Sequence, residues 1–93
     1  MDVPRPRPKE YLDRFASQLD LSKKVRARAH EMSSSIPEKF KSRKASFLVA
    51  ASILYNAAQE FDGNLNIRDV ADELEVGVSS VATTGKRIRE FLS

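Results

Sequence analysis

The twelve residues from Phe47 to Ala58, FLVAASILYNAA, constrain the fold more than any other stretch. Only Ser52 and Asn56 are polar, and their spacing of four puts them on one side of a helix. Apolar residues cover the rest of the circumference, and a helix of that kind must be enclosed by other helices. A membrane span needs about 20 apolar residues, so the run is too short to cross a bilayer. Its alanines allow close helix approach, while Phe47, Leu54 and Tyr55 are expected to fill the gaps between neighbours. The run therefore reads as the central helix of a small all-α domain.

The 93 residues suffice for one core and not for two. With no cysteine there is neither a disulfide framework nor a thiolate metal site, and the single histidine, His30, cannot form a zinc site alone. The N-terminus lacks the apolar segment of a secretory signal, which makes an intracellular location the default. Charge is unevenly spread. Most of the 16 lysines and arginines fall within residues 1–44, and residues 45–85 hold only Arg68 against Glu60, Asp62, Asp69, Asp72, Glu73 and Glu75. Basic residues return at Lys86, Arg87 and Arg89, so a polyanion would meet attractive and repulsive faces.

Pro4, Pro6 and Pro8 alternate with arginines, which disfavours helix and suits an extended linker over residues 1–8. A basic arm lying on phosphates is the sharper alternative for the same segment. Tyr11, Leu12, Phe15, Ala16 and Leu19 then keep helical spacing. Ser22 is suited to cap a second helix carrying Val25, Ala29 and Met32 inward, and Ile36-Pro37 ends that helix. Glu38–Lys44 reads as a basic connection to the central helix, with Ser46 as its cap. Asp62-Gly63-Asn64 supplies turn chemistry beyond Phe61. This gives five helices and no strand.

Residues 66–92 have the grammar of a helix-turn-helix. Asn66 caps a short helix with Ile67, Val70, Ala71 and Leu74 inward, and Glu75-Val76-Gly77-Val78 makes the turn. Ser79 or Ser80 opens a longer helix whose inward face carries Val81, Thr84, Ile88 and Phe91. In such motifs the second helix enters the major groove, where its exposed early residues meet base edges and nearby cations meet phosphates. Here those residues are Ser79, Ser80, Thr83, Lys86 and Arg87. Gly85 costs a helix interior about 1 kcal/mol relative to alanine, which suggests close approach of a neighbour. Helix-turn-helix geometry also occurs as plain packing, and the acids at 69–75 would repel phosphates that they faced. No glycine-rich phosphate loop or paired acid and base is present, so the chain does not read as an enzyme and implies no cofactor or metal.

The stretch Tyr11-Leu12-Asp13-Arg14-Phe15-Ala16-Ser17-Gln18-Leu19-Asp20-Leu21-Ser22 resembles the start of a cyclin-type repeat in archaeal transcription factor B, a relative of eukaryotic initiation factor IIB. It is most similar to the second, C-terminal repeat. Val49–Ala58 is similar to that repeat's central helix, and Ile67–Ala71 with Val78–Val81 resembles its helix-turn-helix. The resemblance spans about residues 8 to 92 and implies a five-helix cyclin-like fold over residues 9–93. It also implies a general initiation factor domain that binds double-stranded promoter DNA beside the TATA-binding protein and helps recruit RNA polymerase. Carried over by position, the recognition surface falls on Ser79, Ser80, Ala82, Thr83 and Thr84, followed by Lys86 and Arg87, with phosphate contacts from Arg43 and Lys44. The family's usual Gly-Lys-Ser-Pro run is here Ser42-Arg43-Lys44-Ala45-Ser46, which keeps the lysine. An arginine usual early in the last helix is replaced by Ala82, Thr83 or Thr84. The chain then reads either as a fragment of a longer factor or as a divergent single-repeat protein, expected to be monomeric and located with the chromosome in an archaeal cytoplasm or a eukaryotic nucleus. A cyclin-type protein-interaction module without direct DNA binding is the alternative.

Overall fold

The computed structural model describes residues 8–61 and 65–92, and the side chains of all of these except Pro8, Lys9, Ser42 and Arg43. Six helices follow in order: α1 (Pro8–Gln18), α2 (Lys23–Ser35), α3 (Glu38–Arg43), α4 (Ser46–Phe61), α5 (Ile67–Glu73) and α6 (Val78–Leu92). No strand occurs among the described residues. The helix α1 already begins at Pro8, where a proline's missing N–H costs nothing. Pro8, expected within the extended segment, thus opens α1, and residues 1–7 lie outside the described residues, as does the turn expected at Asp62-Gly63-Asn64.

The central helix is α4. Val49, Ala50, Ala51, Ile53, Leu54, Ala57 and Ala58 are all buried in one cluster with residues of α1, α2, α5 and α6. Each fully enclosed side chain of the size of Ile53 or Leu54 stabilises the fold by about 1.5–3 kcal/mol through removal from water. Phe47 departs from the expectation, for it stays 43% exposed on the first turn of the helix. Tyr55 is half-buried.

The remaining elements follow local chemistry. The Ser22 hydroxyl accepts the Val25 amide at 3.4 Å, and the Asn66 side chain accepts the Arg68 amide at 2.8 Å, so both expected caps form. Ser46 is the first residue of α4 instead of a cap outside it, and α6 begins at Val78, just ahead of the serines. The segment expected as a plain connection contains α3, which makes six helices where five were expected. Pro37 leads into it with an extended backbone, and Lys41 bridges its carboxylate Glu38 at 3.0 Å while donating to the Ser33 carbonyl at 2.8 Å. Between α2 and α4, Arg28 donates to Glu60 at 2.7 and 3.3 Å and to Glu31 at 3.2 Å. These carboxylates raise the already high pKa of its guanidinium, chiefly through the bond to Glu60.

Candidate nucleic-acid interface

The α5–α6 pair is built as a helix-turn-helix. Val70 and Ala71 of α5, Leu74 just after it, and Val81 and Ile88 of α6 are all buried in the core. The turn is closed by two backbone bonds, from the Val76 amide to the Ala71 carbonyl at 2.9 Å and from the Glu75 amide to the Asp72 carbonyl at 3.4 Å. This crossed pair satisfies carbonyls that the end of α5 would otherwise leave unpaired, and it requires a left-handed residue after the helix. Glu75 takes that role, with φ 55°. Gly77, the glycine of the turn, does not.

Helix α6 meets α4 through polar groups as well as apolar ones. The Asn56 side-chain amide donates to the Gly85 carbonyl at 3.0 Å, and the Ser52 hydroxyl, which donates to Leu48 at 2.9 Å, lies 3.5 Å from the Val81 carbonyl. The polar side of the central helix therefore faces α6. Both contacts join residues 29 apart in sequence, so the two helices run in the same sense where they touch. Ser46 starts α4 about 9 Å of helix before Ser52, and Val78 starts α6 about 5 Å before Val81, at 1.5 Å per residue. The two helix N-termini, each carrying partial positive charge, thus lie on the same side of the contact, along with exposed Lys44.

With Val81, Thr84, Gly85 and Ile88 turned inward, the outward stripe of α6 consists of Ser79, Thr83, Lys86, Arg87 and Glu90, flanked by Ser80 and Ala82. Lys86 forms no ion pair among the described residues. Arg87 reaches Glu90 at 3.4 Å across an exposed surface, a pairing of small energy that a phosphate can replace. The position of Thr84 is a correction: only 2% of it is exposed, because residues 81, 84, 85 and 88 make up the face against the core. It cannot contact a base while α6 keeps this orientation. Arg43 closes α3, and its side chain lies outside the described residues.

Phe91 also departs from the inward face expected of it. It is 44% exposed and packs edge-on to Phe40 of α3, ring centroids 5.1 Å apart. Sequence reasoning missed Glu90, which ends the outward stripe with a negative charge beside Arg87. Its spacing from Lys86 and Arg87 was the available signal. The pairing of Asn56 with Gly85 was half visible, as a helix glycine that needed a close neighbour. Among the described residues there is no group of three or more possible metal ligands, and no helix is long and apolar enough to cross a membrane.

The family described as Transcription factor TFIIB repeat matches residues 2–91. The chain belongs to the TFIIB-repeat family. Its all-helical architecture is the cyclin-like fold of that repeat, and the family is one of general transcription factors. Comparison with curated proteins finds no match.

Proposed function

We propose that this TFIIB repeat binds double-stranded promoter DNA through the first half of α6, next to the TATA-binding protein, and helps to recruit RNA polymerase without catalysing a reaction. The observation that carries the reading is the outward stripe of Ser79, Thr83 and Lys86 on a helix whose opposite face is packed into the core. Short hydroxyl side chains can approach base edges and thymine methyl groups, and a free ammonium one turn later can meet a phosphate or a guanine. Ser80, Ala82 and Arg87 border this surface. Lys44 adds a phosphate contact from the start of α4, with Arg43 beside it in sequence. Thr84 serves the core instead.

In this reading the chain corresponds to the second repeat of an archaeal-type factor. The repeat runs from Pro8 onward, and the proline-rich start before it is a linker or arm. The repeat acts as a monomer and is found with the chromosome, in the cytoplasm of an archaeon or in a nucleus. The test is a gel shift on a TATA-containing duplex, with and without the TATA-binding protein. We expect a shift that weakens steeply with salt and strengthens with the second protein. Loss of binding under both conditions overturns the reading. It would favour a protein-interaction module, for which the exposed acids Asp69, Asp72 and Glu73 of α5 would be the charged face.

A further inference from the structure

We infer that Asn56 and Gly85 form a register key that sets the rotation and depth of α6, and so decides which of its side chains a duplex can meet. Neither touches the outside, so both are positioning residues. The use of the key rests on the DNA reading above; its existence does not.

The apolar contacts of α6 through Val81 and Ile88 are non-directional and tolerate rotation or sliding. The Asn56 amide is different. It is buried, it points at one carbonyl, and its bond of 3.0 Å can form only where the opposing backbone comes close. Gly85 is the residue that permits this: a Cβ there would stand 3.3 Å from Asn56 Nδ2 and 3.7 Å from its Oδ1. One turn away on both helices, Ser52 repeats the contact more loosely against Val81. A rotation of α6 by one residue, about 100°, would remove both contacts and strand a buried amide. In the sense that turns Lys86 toward the core it would also carry Thr84 outward, exchanging the surface offered to a partner. Gly85 therefore has a use that offsets its poor helix propensity.

Because the chain has no cysteine, single introduced thiols can report this rotation directly. Thr83→Cys, Thr84→Cys and, as a control in α2, Val25→Cys are each made in the parent and in an Asn56→Ala background. Maleimide labelling rates are then compared. In the parent, position 83 labels fast, and positions 84 and 25 label slowly. In Asn56→Ala, position 84 is expected to speed up by about tenfold, the equilibrium equivalent of one lost buried hydrogen bond, with position 25 unchanged. Asn56→Leu, which fills the same space without a donor, answers the same question if Asn56→Ala does not fold. Unchanged protection at 84, or equal loss at 84 and 25, overturns the key.

A second arm uses the tightest duplex from a random-sequence selection and a scrambled duplex. Asn56→Ala should lose about tenfold in the ratio of the two affinities, while scrambled-duplex binding and its salt dependence stay as in the parent. A retained ratio overturns the role of the key in recognition. If the parent binds no duplex, the DNA reading fails, and the thiol rates still decide the key.

Discussion

Asp20 and Glu75 occupy the same backbone position in two different turns. Their φ angles are 54° and 55°, and they are the two non-glycine residues with positive φ among those described. Each follows a helix closed by the same crossed pair of backbone bonds. The Leu21 amide reaches the Ala16 carbonyl and the Asp20 amide reaches Ser17, just as Val76 reaches Ala71 and Glu75 reaches Asp72. In each case the next helix begins three residues later, at Lys23 or Val78. The α1–α2 corner therefore repeats the turn of the helix-turn-helix. The two corners differ in what opens the second helix: a serine cap and two lysines in α2, and Val78-Ser79-Ser80 in α6.

The left-handed region is costly for a residue with a Cβ and nearly free for glycine. Asp20→Gly and Glu75→Gly are each expected to stabilise the repeat by about 0.5–1 kcal/mol, after allowing for glycine's greater freedom in the unfolded chain. The shift of the urea midpoint at constant slope measures this. Alanine at either site should give no such gain, because it keeps the Cβ.

Glu75 also places a negative charge three residues before Val78, near the unpaired amides at the start of α6. That favours the helix dipole but opposes any phosphate approaching the same end. Glu75→Gln removes the charge without altering the Cβ. Duplex affinity at low salt is expected to rise about two- to threefold, with the difference vanishing as salt screens it. Fluorescence anisotropy across a salt series tests it; an affinity that falls would mean that Glu75 is itself in contact with the partner.

On the outward stripe, Lys86 forms no ion pair among the described residues while Arg87 is shared with Glu90. Lys86→Ala should therefore cost more binding than Arg87→Ala. If Lys86 meets a phosphate, the loss is uniform across sequences and the salt slope falls by about one; if it reads a base, about 1–3 kcal/mol of discrimination disappears. The double variant removes both effects. Affinity unchanged in that variant excludes this face of α6 from the interface.

The clearest sequence signals were those repeated over several turns. The run from Phe47 to Ala58 sufficed to identify α4, because nearly every position obeys the same demand for burial. Ser22 and Asn66 announced their helices through cap chemistry that needs no tertiary context. The helix α3 escaped notice because Glu38–Arg43 is too short to show a period. Glu75 escaped because the turn already contained a glycine at Gly77, and only the backbone bonds show which residue takes the left-handed position. Thr84 was assigned both to the inward face, by spacing, and to the contact surface, by resemblance. The packing of Val81, Gly85 and Ile88 decides for the core.

The alanines of α4 provide the last test, since they set how near its neighbours can come. Ala51 and Ala58 are buried, with 0% and 1% of their surface exposed, and Ala58 borders a cleft that Leu19, Val25 and Phe61 also line. Ala51→Leu should force a neighbouring helix outward and destabilise the repeat by about 1–3 kcal/mol, and Ala58→Leu, which can extend part-way into the cleft, by less. For a domain of this size each kcal/mol corresponds to a fall of about 4–8 °C in melting temperature. Thr83→Ala, on the outward stripe, should leave the melt almost unchanged and serves as the comparison. The two alanine variants need not affect duplex binding equally. Ala51 adjoins Ser52 in sequence, whereas Ala58 lies near the far end of α4, close to Phe61 and the start of α2. Displacement at Ala51 should disturb the seat of α6 and weaken duplex binding even at temperatures where the protein is folded. A leucine at 58 should lower stability while sparing it.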